Sequence, residues 1–243
     1  MDLTVVAASA MQQDAARLQG IAQNLSNVLT PGYKKQVSST QSFAAQLAAA
    51  SQVNANPLRN VALPTTQVLV DASAGTLRST GNNLDVAIDG DGFFELADAT
   101  GPVYTRRGEF RADAGGRLVG PQGLPVMGAG GEIVLTGEPF TIAANGEITQ
   151  SGAVVARLRV VHLTHAEALT PQGGGTYGQG GAVLENTSAP VRLRVGYQEN
   201  SNVDSAREMV GMTETVRHFE SMQKLMQGYD EVLEKSIRKL GEF

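Results

Sequence analysis

The chain has 243 residues, a formal net charge of -5 and neither cysteine nor tryptophan, a foldable composition long enough for one large or two small domains. The acidic balance and few aromatics argue against a nucleic-acid binder, whose affinity comes largely from neutralising phosphates. The lack of cysteine excludes thiol catalysis, disulfides and cysteine-based metal sites.

No run of sequence approaches the ~20 apolar residues needed to span a bilayer. Residues 3–11 are apolar and Ala8-Ser9-Ala10 is like a cleavage site, but no basic residue precedes Arg17. The expectation is a protein that leaves the cytoplasm, if it does, without a cleaved signal peptide. A heptad-like stripe through Ala7, Met11, Leu18, Ile21, Leu25 and Val28, with Asp14 as its polar break, predicts a helix. It should stop near Leu29, because Pro31 disfavours helix in the residue before it and Gly32 permits a turn. Residues 36–64 are rich in Ala, Ser, Gln and Asn with little periodicity, which reads as an extended or partly helical connector.

From Thr66 the texture changes to short alternating runs separated by glycines, a β-rich pattern. Candidate strands are 67–70, 84–88, 93–96, 103–106, 108–112, 118–119, 133–135, 140–143, 148–150, 154–163 and 191–197. Asp89-Gly90-Asp91-Gly92, Ala114-Gly115-Gly116, Asn145-Gly146 and Ser151-Gly152 tolerate positive φ where strands must reverse, giving a small antiparallel barrel or sandwich. Residues 170–181, with Pro171 and six glycines, read as a loop too flexible for the core.

The last element is the longest periodic signal. Met209, Met212, Val216, Phe219, Met222, Met226, Tyr229, Leu233, Ile237 and Leu240 recur at a mean step of about 3.5, the coiled-coil period. Asn200, Ser201, Asn202 and Asp204 can accept the first free amides, while Arg238, Lys239 and Gly241 suit the end. At roughly 1.5 Å per residue such a helix is near 60 Å long and needs another helix to cover it. The expected fold is therefore α+β, with long N- and C-terminal helices pairing as a coiled coil around a central β-domain. The expected divisions are 1–30, 31–65, 66–199 and 200–243.

Catalytic signals are weak. Residues 173–178 spell G-x-G-x-x-G but follow Pro171 and open no helix. Asp89 and Asp91 lack the further ligands of a calcium loop and read as a hairpin turn. His162 and His165, spaced within one strand, should face opposite ways, and His218 reads as a solvated or interface residue. No catalytic group, cofactor or metal site is expected. Arg157 and Arg159 alternate with Leu158 and Val160, as Arg192 and Arg194 do with Leu193 and Val195, so paired arginines share an exposed face. That face is either simply solvated or a contact for an acidic neighbour.

Three stretches together resemble the flagellar axial proteins of the rod and hook. The first is residues 23–35, with Asn24, Leu25, Asn27, Thr30, Pro31, Gly32, Tyr33 and Lys34 matching that family's N-terminal signature. The second is residues 84–94, with Leu84, Asp85, Gly90, Gly92, Phe93 and Phe94, and the third is Ser201, Asn202 and Val203. The resemblance implies a non-enzymatic subunit of the basal-body rod in the periplasm, whose terminal helices polymerise as an inner tube with the β-domain outside. Its implied partners are copies of itself, other proximal and distal rod subunits, and the flagellar type III export apparatus. The expected assembly interface is Leu18, Ile21, Leu25 and Val28 together with the C-terminal stripe. Residues 104–108 and 217–224 are most similar to proximal-rod members, with distal-rod members next. The competing reading is a cell-wall-binding or hydrolytic β-domain carrying a coiled-coil oligomeriser. Against it, Asp85, Asp89, Asp91 and Glu95 lie in one strand–turn segment instead of facing each other across a cleft.

Overall fold

A computed structural model describes residues 3–40, 66–185 and 192–240. The chain divides into two compact units: Met1–Leu25, Gln36–Val68 and Ser205–Phe243 form a helical unit, while Ser26–Lys35 and Leu69–Asp204 form a β-body.

In the helical unit, α1 (Leu3–Ser26) buries Ala7, Asp14 and Ile21 at a strict seven-residue interval and half-buries Met11, Leu18 and Leu25. It ends earlier than its pattern suggests. Val28 lies in the turn that follows, where Thr30 N donates to Asn27 O (3.0 Å) and Tyr33 N to Thr30 O (3.3 Å). The C-terminal helix α2 (Ser205–Leu240) has 36 residues, about 54 Å at 1.5 Å per residue, and residues 200–204 ahead of it are not helical. Asn24 Nδ2 donates to Glu208 Oε2 (3.0 Å), and ten residues earlier in α1 Asp14 Oδ2 meets His218 Nδ1 (2.6 Å). The order of these two contacts makes the helices antiparallel. So Asp14, the polar break in the stripe, has a partner on the facing helix, and His218 is an interface residue. The side of α2 turned inward differs from the apolar stripe: Glu208 and Thr215 are buried, while Met209 and Met212 are 56% and 45% exposed.

Part of the expected connector is ordered as β1 (Gln36–Thr40), paired with β2 (Thr66–Val70); the rest, residues 41–65, lies outside the described residues. The β-body, from Leu69 on, holds β3 (Leu77–Ser79), β4 (Val86–Ile88), β5 (Phe93–Asp98), β6 (Gly101–Thr105), β7 (Arg111–Ala112), β8 (Leu118–Val119), β9 (Met127–Gly128) and β10 (Gly131–Glu132). Then come β11 (Phe140–Ile142), β12 (Glu147–Gln150), β13 (Ala153–Arg157), β14 (Val160–Thr164) and a 3-10 turn at Ala166–Ala168. The last are β15 (Thr170–Gly173), β16 (Thr176–Gly178), β17 (Val183–Glu185), β18 (Leu193–Val195) and β19 (Tyr197–Glu199).

The centre is a six-stranded antiparallel sheet ordered β15-β16-β6-β5-β14-β17. Side chains alternate across it, so Phe94, Leu96 and Val103 enter one apolar cluster with Phe110, Leu118 and Leu158. Phe93, Tyr104 and Val161 enter a second with Val70, Leu169 and Tyr177. Ring centroids of Phe94 and Phe110 lie 5.0 Å apart, edge to face.

Several expectations change here. Among the described residues no barrel closes, because the strands are short and divide among separate sheets. The single run 154–163 is two strands in different sheets, broken at Leu158, which is buried and bridges to Gly128. The run 191–197 likewise splits into β18 and β19. Residues 133–135 form no strand of their own, with Val134 making only an isolated bridge to Arg117. The turn Asp89–Gly92 is not a hairpin: β4 pairs with β18 and β5 with β6 and β14, so it passes the chain between sheets. The largest change is in residues 170–181. They hold β15 and β16 of the central sheet, with Thr176, Tyr177 and Gly178 buried. Gly173, Gly174 and Gly175 all have positive φ, so this glycine density makes a tight reversal, not a slack loop.

Candidate functional site: a buried ionic clasp and an exposed helix

Lys34 follows the Pro31-Gly32 turn, Arg106 follows β6, and Glu199 ends β19; all three side chains are no more than 3% exposed. Glu199 Oε1 accepts from Lys34 Nζ (2.6 Å) and from Gly75 N (2.8 Å), and Oε2 lies 2.8 Å from Arg106 Nε. Two cations share one carboxylate, so the excess positive charge is spread onto carbonyls. Lys34 Nζ donates to Ser73 O (2.5 Å), and the Arg106 guanidinium donates to Gly92 O (2.6 Å) and Gly90 O (2.8 Å). Arg106 also lies 5.8 Å from the Phe93 ring centroid. Burial pulls the Lys34 ammonium below its ordinary pKa, a trend that Glu199 opposes. Lys34 N donates to the Tyr177 hydroxyl (2.6 Å), and burial pushes that phenol well above its usual range.

Around this cluster the chain leaves and rejoins the body. Gly32 N donates to Glu199 O (2.7 Å), Lys35 N to Asn202 Oδ1 (2.7 Å), and Asn202 Nδ2 to Asp71 O (2.9 Å) and Ser73 O (3.1 Å). Gly32 has φ +65, and a Cβ there would lie 2.7 Å from the Arg106 carbonyl carbon, so no side chain fits. Thus the first motif stretch (Thr30, Pro31, Gly32, Tyr33, Lys34) and the third (Ser201, Asn202, Val203) are neighbours. The second joins them: Gln198 Nε2 donates to Asp85 Oδ2 (2.9 Å), Gly90 and Gly92 supply the carbonyls that hold Arg106, and Phe93 and Phe94 point into the two cores. Pro31–Lys35 therefore packs in the β-body, with Tyr33 2% exposed, and is no part of a connector. Arg106 Nε and Glu199 Oε2 are buried without a hydrogen bond and meet only as an ion pair, and with each charge so paired the cluster is suited to holding chain ends together, not to proton transfer. Sequence reasoning missed Glu199 and Tyr177, and quoted Arg106 without a role. Glu199, two residues before Ser201, carried a signal in its closeness to a motif, and Tyr177 carried none.

The histidines also differ from expectation. β14 ends at Thr164, and His165 takes a left-handed conformation (φ 56, ψ 43), so His162 and His165 line one cavity instead of facing apart. No group of three or more metal-ligating side chains gathers among the described residues.

In the helical unit, the expected interface residues Leu18 and Leu25 are half-buried and Ile21 is buried, while Val28 belongs to the β-body. On α2, Val216, Phe219, Met222, Met226 and Tyr229 are half-buried, whereas Leu233 and Ile237 are 42% and 69% exposed. Leu225 and Val232, off the stripe, are exposed as well. The side chain of Leu240 lies outside the described residues.

Residues 5–34 match the family model "Flagella basal body rod protein", residues 87–156 "Flagellar hook protein FlgE/F/G D1 domain", and residues 194–239 "Flagellar basal body rod FlgEFG protein C-terminal". The chain is 31% identical over 252 residues to the flagellar basal-body rod protein FlgF of Rhizobium meliloti, covering 97% of this chain and 96% of the relative. It is 29% identical over 254 residues to FlgG of Bacillus subtilis (94% and 95%) and 29% identical over 254 residues to FlgF of Escherichia coli (95% and 95%). The three matched segments fall on α1 with the turn after it, on the stretch from β4 to β13, and on the end of the body with α2, and the chain belongs to the flagellar basal-body rod protein family.

Proposed function

We propose that the chain is a structural subunit of the flagellar basal-body rod, assembling through its terminal helices with copies of itself and with other rod subunits. The observation that carries this is α2: from Glu231 to Lys239 every residue is exposed, Val232, Leu233 and Ile237 among them. A helix of this length keeps apolar side chains in water unless a neighbour covers them. A continuous coiled-coil seam along Met226, Tyr229, Leu233 and Ile237 is then completed between subunits. Such a subunit lines the export channel, transmits torque through many repeated helix contacts, and reaches the periplasmic rod through the type III apparatus. We place it in the proximal rod, supported by the relatives named FlgF; the Bacillus subtilis relative named FlgG favours a distal position as the second reading.

Met226→Asp or Leu233→Asp tests the assembly reading. Each puts a carboxylate into the seam, where an unpaired buried charge costs at least several kcal/mol per subunit. Both variants should be lost from purified basal bodies and abolish swimming, while circular dichroism of the free chain stays unchanged. Normal incorporation of Leu233→Asp would mean that this face of α2 is a solvent-facing strut. Immunolabelling of intact basal bodies distinguishes the proximal from the distal position.

A further inference from the structure

We propose that an arginine patch on the β-body docks the acidic rim of a cavity on a neighbouring copy, an inference that rests on the self-assembling reading above. Arg157, Arg159, Arg192 and Arg194 are exposed, while Leu158 and Leu193 between them are 3% and 5% exposed. Leu158 N donates to Gly146 O (2.8 Å) and Leu193 N to Ala144 O (2.9 Å), so both segments flank the same turn. Arg157 Nε reaches Asn145 O of that turn at 3.3 Å. The four arginines therefore form one patch. Arg159 pairs with Glu95 and Arg194 with Asp89, each at 3.2 Å, whereas Arg157 and Arg192 have no carboxylate within ion-pair distance among the described residues. Glu147 stands directly opposite Arg157 across β12 and β13, so three carboxylates against four cations leave a local excess of one positive charge on a chain whose net charge is -5.

The complementary surface lies past the other end of β14. A cavity of about 320 Å³ is lined by Asp91, His162, His165, Glu167 and Glu185, with Arg106 in its wall. The Arg106 charge is already engaged by Glu199 and the carbonyls of Gly90 and Gly92, so the exposed Asp91, Glu167 and Glu185 leave the rim negative. Arg159 precedes β14 and His165 follows it, roughly 15–20 Å away at about 3.3 Å per strand residue, while on the other side Arg194 is held by Asp89, two residues from Asp91 of the rim. Unlike patches at opposite ends of one strand pair head to tail. A contact of that kind repeats from copy to copy, in a ring where the rotation closes and in a filament where it does not, whereas two copies of one patch repel each other.

Charge exchange tests the pairing. One full-length variant carries Arg157→Glu with Arg192→Glu; the other carries Glu167→Arg with Glu185→Arg. In sedimentation velocity at low salt, each variant alone should associate about tenfold or more weakly than the unaltered chain. The equimolar mixture should recover association, because the reversed patch of one variant now fits the reversed rim of the other. The recovered contact should weaken in about 1 M salt. Unchanged association of the arginine variant, or no recovery on mixing, overturns the proposal. So does a result in which that variant loses only binding to isolated peptidoglycan sacculi, since the patch then faces the wall. Leu233→Asp keeps the two readings apart. If it still blocks incorporation into basal bodies while charge exchange has no effect, only the arginine contact is wrong.

Discussion

The β-body and the helical unit both bury charged groups, and they differ in that the exposed apolar residues of the helical unit follow one another along one helix. The body encloses Lys34, Arg106 and Glu199 and gives each of them partners, while the helical unit turns Asp14, Glu208 and Thr215 inward and leaves Val232, Leu233 and Ile237 in water. A unit that buries charge must satisfy that charge by itself, or the desolvation cost unfolds it. A unit that leaves its apolar stripe uncovered has postponed part of its hydrophobic stabilisation until a neighbour arrives. On the assembly reading proposed above, the difference means that one half of the chain is completed by folding and the other by assembly.

The sharpest way to break this comparison is at Glu199. Glu199→Gln leaves Lys34 and Arg106 as two buried cations with no carboxylate, and should cost the isolated chain about 3–5 kcal/mol in urea unfolding followed by circular dichroism. Lys34→Met leaves a neutral Arg106–Glu199 pair and should cost distinctly less; a larger loss would show that Glu199 is not the hub. Next in size is Tyr177→Phe. It strands the buried Lys34 N–H, worth about 1–3 kcal/mol in the same experiment, and no change would show that this amide has another acceptor.

A smaller effect is the pH dependence. Lys34 has a folded pKa below its ordinary 10.5, so in the window between the two values the unfolded chain holds more protons and stability rises with pH. The raised Tyr177 phenol acts the other way above about pH 10, where the unfolded chain loses a proton that the folded one keeps. Measured below the tyrosine range, the upward slope should be present in the unaltered chain and absent in Lys34→Met. An identical slope in both would assign it to other groups.

The smallest effect is expected at Leu233. In the free chain Leu233→Asp should shift stability by less than ~0.5 kcal/mol, because the side chain it replaces already faces water. A loss above ~1 kcal/mol would mean that the distal half of α2 packs on its own chain, and the contrast between the two units would fail.

Much of the helical unit is legible in the sequence, because a helix is specified by residues three and four apart. The pattern located both helices and marked Asp14 as a break. It could not supply His218, which lies 204 residues away. It also could not tell that Glu208 and Thr215 turn inward where Met209 and Met212 stay out, since that depends on how α1 lies against α2. The three motif stretches of the clasp were visible as stretches, but nothing local joins Lys34 to Glu199 across 165 positions. Residues 170–181 misled for a related reason. Composition counts glycines without distinguishing a slack loop from a reversal that needs positive φ at Gly173, Gly174 and Gly175.

By itself the sequence determined what short-range sterics and periodicity control: the two helices, most of the turns at Asn-Gly, Ser-Gly and Gly-Gly positions, the β-rich middle and the acidic charge balance. Only the tertiary structure decided which strands share a sheet, that β16 lies inside the central one, and that Lys34, Arg106 and Glu199 are buried together. Strand partnership and charge burial are fixed by contacts between residues far apart in the chain, each choice contingent on the others. A reading that proceeds residue by residue has no term for them.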